Sequence, residues 1–106
     1  MPHLPKAYQR FQKEYPTVWS AYDQLGAAVH SAGPLDENTR ALLKLALAIG
    51  AQMEGATHAH TARARELGIS VQAIRQVVLL AAPTLGFPRM MAAMTWVDDV
   101  LNAEQK

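Results

Sequence analysis

The chain has 106 residues, half of them apolar and 18% charged, and its formal net charge is +1 at pH 7. This length predicts a single domain over residues 1–106, and the nearly balanced charge gives no indication of nucleic-acid binding or of attachment to an anionic membrane. The chain contains no cysteine, which excludes disulfides, zinc–thiolate sites and thiol redox chemistry.

Apolar side chains in the first third of the chain recur at steps of three and four residues, which predicts one face of a helix. Pro16 interrupts this pattern and biases Tyr15 away from helical angles, so we predict two helices or a kink there. The side chains of this face are Tyr8, Phe11, Tyr15, Val18, Tyr22, Leu25 and Val29.

The stretch "DENTRALLKLALAIGAQ" predicts the central helix of the core. Asp36 is placed to cap its first turn. Its apolar side chains point in all directions around a helix, which is typical of a helix buried on most sides. These side chains are Leu42, Leu43, Leu45, Leu47 and Ile49.

Three more helical segments follow. The stretch "AQMEGATHAHTARARELG" ends at Gly68, a typical C-terminal cap residue, and Ser70 is placed to cap the next helix. Pro83 and Gly86 are expected to end that helix, and Pro88 suits the first turn of the last one. No alternating strand pattern occurs, so the sequence predicts an all-α bundle of five or six helices.

His60 lies on the apolar face of the quoted helix when that helix is drawn at roughly 100° per residue. The functional interpretation is a general acid or base in an enclosed pocket, where burial sets its pKa near neutral. The alternative is a core histidine whose ring nitrogens are satisfied by hydrogen bonds. Its neighbours on this face are Met53, Ala56, Ala64 and Leu67.

Glu54 and His58 are four residues apart and lie on a second face, so their side chains can meet. This pair is interpreted as half of a metal site or as an acid–base pair, with a solvated ion pair as the alternative. A metal would need further ligands from another helix or subunit. His58 and His60 lie on different faces, so a helix cannot direct both at one ion.

Other polar side chains give weaker indications. Lys44, among apolar neighbours, is a candidate for binding a substrate carboxylate, although its ammonium group can also reach the surface. Arg89, near a helix start, is a second candidate for an anion. Asp98 and Asp99 are adjacent on a helix, so they face different directions and are poorly placed as paired carboxylates.

The order of these features resembles the carboxymuconolactone decarboxylase family, which includes the alkylhydroperoxidase D-like proteins. The resemblance covers roughly residues 20 to 101. The family pattern is a leucine-rich helix, then Cys-x-x-Cys-x-x-x-His, then Ala-x-x-x-Gly and a helix that opens with Ser or Thr. The matching residues are His60, Ala64, Gly68, Ser70 and Ile74.

The chain departs from the family at its redox positions. Met53 and Ala56 stand where the peroxidase members carry cysteines, and Ala41 stands where they carry a glutamate. Methionine and alanine cannot form a thiolate nucleophile, so a thiol peroxidase cycle cannot run on this chain. The decarboxylase branch needs only a histidine, a carboxylate and a cation for the substrate.

The resemblance implies an alkylhydroperoxidase D-like bundle in a homotrimer or homohexamer. The sequence shows no signal-peptide pattern and no apolar run of about 18 residues, so a cytoplasmic protein is expected. We expect such a protein to bind a small organic acid or lactone, with carboxy-lyase chemistry through His60 and assistance from Glu54 or His58. The alternatives are a non-catalytic structural or ligand-binding homologue, and a metal-binding protein that uses Glu54 and His58. No organic cofactor, nucleic acid or membrane is expected as a partner.

Overall fold

A computed structural model describes residues 6–104, and every regular element in this range is a helix, which confirms the all-α prediction. Seven helices occur in this range rather than the five or six that the sequence predicted, because the segment after Ser70 divides into two helices. They are α1 Lys6–Glu14, α2 Pro16–His30, α3 Glu37–Gly50, α4 Glu54–Glu66, α5 Val71–Leu79, α6 Ala81–Leu85 and α7 Phe87–Ala103. No described helix is both long enough and apolar enough to cross a bilayer.

The helices group into two compact units, Met1–Leu35 with α1 and α2, and Asp36–Lys106 with α3 to α7. Residues 1–5 and 105–106 lie outside the described range. The expectation of one domain over residues 1–106 stays a prediction.

Side-chain caps begin two of the helices as the sequence predicted. The Thr39 backbone N–H donates to Asp36 Oδ1 at 2.8 Å, and the Ala73 backbone N–H donates to Ser70 Oγ at 3.1 Å. The hydrogen bonds from Thr39 also lower the pKa of the Asp36 carboxyl group. Both caps satisfy backbone donors that the first helical turn leaves without a partner.

Proline and glycine set the other boundaries. α1 ends at Glu14 and α2 begins at Pro16, so the predicted break is present. Gly68 follows the end of α4 with a φ of 82°, which an L-residue rarely adopts. The prediction for Pro83 was wrong in detail: α5 already ends at Leu79, and Pro83 lies inside the short α6, which Gly86 ends.

The core of the second unit brings together one face from each of its helices. Ile69 and Ile74, on either side of the Ser70 cap, are both buried in it. The other core residues are Ala41, Leu45, Ile49, Ala64, Val78, Ala81, Met90, Ala93, Val97 and Leu101.

The buried face of α4 is not the one that the apolar pattern predicted. Its buried side chains are Thr57, Thr61 and Ala64, whereas Met53 is 55% exposed and His60 is only partly buried. Both threonines are fully buried, and Thr61 Oγ1 donates to the Thr57 carbonyl oxygen at 2.7 Å. His60 therefore lies at the edge of the packed stripe rather than in its middle.

The interpretation of α3 as buried on most sides was also wrong for this chain. Ala41, Leu45, Ala48 and Ile49 are buried, but Leu43 is 47% and Leu47 is 72% exposed. α3 thus has one face in the core of its unit and a second apolar face that remains accessible.

The predicted apolar face of the first unit is exposed throughout. Neither α1 nor α2 contains a buried residue. Ring contacts between Phe11 and Tyr15, and between Phe11 and Trp19, link the two helices, with centroids 5.2 and 6.5 Å apart.

Gly55 in α4 and Gly68 just after α4 provide a matched test of the assigned end of this helix. We expect Gly68→Ala to destabilise the protein by about 1 kcal/mol, because its positive φ disfavours a side chain. Gly55 lies in the helix with open space around its Cα, so Gly55→Ala should stabilise by about 0.5–1 kcal/mol. Urea unfolding midpoints of both variants measure the difference. Equal midpoints would contradict the assigned cap.

Candidate functional site

α4 packs against α3 on one side and α7 on the other. Its buried stripe of Thr57, Thr61 and Ala64 separates two sets of polar side chains. Ion pairs mark both sides: Arg63 approaches Glu37 of α3 at 3.5 Å, and Arg65 approaches Glu104, beyond the end of α7, at 3.1 Å. The polar residues that the sequence singled out on α4 are divided between these two sides.

The α7 side of α4 holds a cluster of Glu54, His58 and Asp99. His58 Nε2 lies 3.0 Å from Asp99 Oδ2. One ligand atom from each of the three residues lies within 4.8 Å of the others. The sequence predicted that Glu54 and His58 meet and that a third ligand must come from elsewhere, and Asp99 is placed to be that ligand.

The sequence did not indicate Asp99 as a site residue, because its partner His58 lies on a different helix, 41 residues away. Asp98 and Asp99 do face different directions, as predicted: Asp98 pairs with Arg75 of α5 at 3.1 Å, and Asp99 meets His58 of α4. Only the packing of α7 on α4 brings Asp99 to the cluster. Two adjacent acids on one helix point in different directions, so they meet different neighbouring side chains. This is the nearest signal for Asp99 that the sequence contains.

The α3 side of α4 holds His60, with Lys44 of α3 close enough to act on its charge. Burial lowers the pKa of His60 below 6.5, and the positive charge of Lys44 lowers it further. The ring is therefore neutral at pH 7, and because His60 is only partly buried it remains accessible from solvent. Lys44 is also partly buried.

The structure does not bring all the predicted site residues together. Glu54 and His58 face α7, so they form a separate cluster from His60. Arg89 is exposed in the first turn of α7, and within residues 6–104 it takes part in no hydrogen bond or ion pair. The predicted trio of His60, Glu54 and His58 therefore does not surround one point.

An apolar groove lies elsewhere in the second unit, between α3, α5 and α6, and has a volume of about 210 Å³. The sequence gives no signal for this groove, since, among the described residues, Thr84 is the one polar member of a lining that is otherwise apolar. The residues that line it are Ala46, Ile49, Gly50, Val77, Leu80, Ala81, Thr84 and Leu85.

The two polar sets on α4 differ in the chemistry that they allow. On the α3 side, a neutral imidazole next to an ammonium group can accept a proton or bind an anion. On the α7 side, one imidazole and two carboxylates offer nitrogen and oxygen ligands. Neither set contains a thiol.

A solved structure resembles the whole fold. The crystal structure of a carboxymuconolactone decarboxylase family protein from Legionella pneumophila matches with a TM-score of 0.80 and 24% sequence identity, over 92% of this chain and 87% of that chain. At this identity the match shows the fold alone.

Sequence comparisons identify the family. An uncharacterized protein of Haemophilus influenzae is 37% identical over 62 residues, which are 58% of this chain, and the chain spans 55% of that relative's length. Residues 16–99 match the carboxymuconolactone decarboxylase family. This match covers most of the chain and includes α2 through most of α7, so the protein belongs to the carboxymuconolactone decarboxylase family, as a member without the cysteine pair.

Proposed function

We propose that the protein binds a small organic acid or lactone on the α3 side of α4 and carries out proton-transfer chemistry of the decarboxylase type through His60. The observation that supports this most is the position of His60: its ring is partly buried, its pKa is lowered by burial and by Lys44, and it remains within reach of solvent. Family membership supports the reaction class.

Lys44 would bind the substrate anion. An ammonium group forms strong hydrogen bonds with carboxylate oxygens, and its partial burial strengthens the attraction. A bound anion also offsets the positive charge that acts on His60, which raises the pKa of the ring. Substrate binding would thus favour the imidazolium form, the form that can donate a proton.

The chemical step then needs one proton. The bond between the substrate carbon and its carboxylate breaks, carbon dioxide leaves, and the electron pair passes into the conjugated enolate of the lactone. The His60 imidazolium delivers its proton to carbon, and the ring regains a proton from water. This step needs no thiol, in keeping with Met53 and Ala56 at the cysteine positions of the family's peroxidases.

The second candidate is a binding protein without catalysis. It is favoured by the separation of His60 from Glu54 and His58, because the carboxylate that was expected to assist the histidine faces a different helix. Lys44 and His60 would then bind an anion without transforming it. Binding and turnover must therefore be measured separately.

Self-association is part of this proposal. The apolar face of α1 and α2 and the Leu43–Leu47 face of α3 are both exposed. Soluble monomers rarely leave such faces uncovered, and short helices without buried side chains gain little stability alone. We propose that copies of this chain cover these faces in the homotrimer or homohexamer that the family resemblance implies.

The charge state of His60 gives the first test. The ring of His60 in the wild-type protein should titrate below 6.5, and Lys44→Gln should raise this pKa without restoring 6.5, since burial remains. Histidine side-chain NMR between pH 4 and pH 9, roughly the span in which imidazole titrates, measures both values. A His60 pKa that Lys44→Gln leaves unchanged would contradict the electrostatic effect assigned to Lys44.

Ligand binding gives the second test. Small dicarboxylates and lactone acids, titrated by calorimetry, should bind the wild-type protein, and Lys44→Gln should weaken binding about tenfold, the value of one charged hydrogen bond. Lys13→Gln, on exposed α1, removes the same charge and should bind like the wild type.

His60→Gln should retain the ligand in the same experiment but abolish release of carbon dioxide. Binding without carbon dioxide release in the wild-type protein would select the non-catalytic candidate. If no acid binds, or if Lys44→Gln and Lys13→Gln behave alike, the proposed site is wrong.

Assembly gives the third test. Light scattering after size-exclusion chromatography should show a trimer or hexamer, and Leu47→Glu should dissociate it, because a carboxylate would be buried in the contact. Gln72→Glu adds the same charge at another exposed position and should leave the assembly intact. A monomeric wild-type protein would contradict the proposed self-association.

A further inference from the structure

We propose that Glu54, His58 and Asp99 form a binding site for a divalent transition-metal ion on the α7 side of α4. This site lies across the buried stripe from His60, so it does not depend on the function proposed above. Three observations support it: the distances among the ligand atoms, the charge of the cluster, and the types of ligand.

The distances suit a single ion. Transition metals hold nitrogen and oxygen ligands at about 2.0–2.2 Å, which places neighbouring ligand atoms about 3.0 to 3.5 Å apart. His58 Nε2 and Asp99 Oδ2 are already 3.0 Å apart. All three ligand atoms lie within 4.8 Å of one another, and Glu54 is exposed. We expect rotation of this exposed side chain to complete the set.

The backbone fixes where these ligands originate. Glu54 and His58 are one helical turn apart on α4 and project from the same side of it. Asp99 comes from α7, and the packing of α7 on α4 directs it at the same point. Ligands from two packed helices are positioned by the core of this unit, so binding requires side-chain adjustment rather than folding of a loop.

The charge of the cluster also points to a cation. Three other acids near α4 and α7 pair with arginine: Glu37 with Arg63, Asp98 with Arg75 and Glu104 with Arg65. Asp99 instead meets a histidine, which is charged only when protonated. Two carboxylates close together repel each other unless a positive charge lies between them.

Glu54 in particular lacks a protein partner. Its carboxylate makes no hydrogen bond or ion pair with any residue between 6 and 104. An acid in the first turn of a helix is stabilised by the helix dipole. This effect explains the presence of Glu54 without a metal. The helix dipole of α4 does not explain why Asp99, on a different helix, lies close to Glu54 and His58.

The ligand types select the class of metal. An imidazole nitrogen with two carboxylate oxygens suits Zn²⁺, Co²⁺, Ni²⁺ or Mn²⁺, whereas Mg²⁺ and Ca²⁺ prefer oxygen ligands alone. Three protein ligands leave at least one coordination position for water. His58 Nε2 and Asp99 Oδ2 are hydrogen-bonded to each other, and a metal ion would bind both atoms in place of that bond.

Metal titration of the full chain tests this inference. The protein is first treated with a chelator and then titrated with Zn²⁺ by calorimetry and with Co²⁺ by visible absorption. We expect one ion per chain, and Asp99→Asn or His58→Gln should weaken binding at least tenfold. Asp98→Asn, which changes the adjacent residue but a different contact, should bind like the wild type.

Two further readouts keep the outcome clear. Glu54→Gln changes an exposed side chain, so it tests the site even if a substitution at Asp99 or His58 impairs folding, and it should also weaken binding. The Co²⁺ spectrum should show ligand-field bands that Asp99→Asn removes and Asp98→Asn retains. If the wild-type protein binds neither ion, or if Asp98→Asn and Asp99→Asn bind equally, the proposed site does not exist.

Discussion

The burial of one narrow stripe of α4 determines which neighbouring helix each polar side chain of α4 meets. Thr57, Thr61 and Ala64 have small side chains, so α4 can pack against both α3 and α7. Larger side chains on this stripe would separate the helices, because cores are close-packed and tolerate extra volume poorly. Since the stripe faces the core, the residues on either side of it face different neighbours.

This division changes how the family's scaffold can be used. The peroxidase members place their chemistry on two cysteines and the histidine after them, whereas this chain has sulfur only in a methionine there and keeps the histidine. His60 remains at the edge of the packed stripe, next to Lys44, where it can serve an anionic substrate. His58 is turned to Asp99 and Glu54, where oxygen and nitrogen ligands meet. One helix thus carries two reactive environments that share no side chain.

Local signals in the sequence predicted local structure well. The caps at Asp36 and Ser70, the break at Pro16 and the left-handed residue at Gly68 all follow from short-range sterics and hydrogen bonds, so a few residues are enough to predict them. The family resemblance also carried the all-α fold. Pro83 was misjudged because a short helix can begin only a few residues earlier and accept proline in its first turn.

The sites were harder to predict because they depend on which helices pack together. An apolar pattern ranks threonine as polar, yet Thr57 and Thr61 are fully buried, and this moved the core face of α4 away from His60. Similarly, the leucines of α3 predicted a buried helix but not which of its faces is buried. Leu47 is exposed in the single chain. Asp99 could not be connected with His58, 41 residues away in sequence, without knowing that α7 lies against α4.

His58 and His60 lie in two separate environments on α4, so a change beside one ring should not affect the other. Assigned histidine side-chain NMR titrations would be recorded for the wild-type protein and for Asp99→Asn. The account predicts that the chemical shifts of the His58 ring change, because the ring loses its contact with the Asp99 carboxylate, while the midpoint of His60 stays where it was. A shift of the His60 midpoint in Asp99→Asn would show that the two rings share one environment, and the account would be wrong.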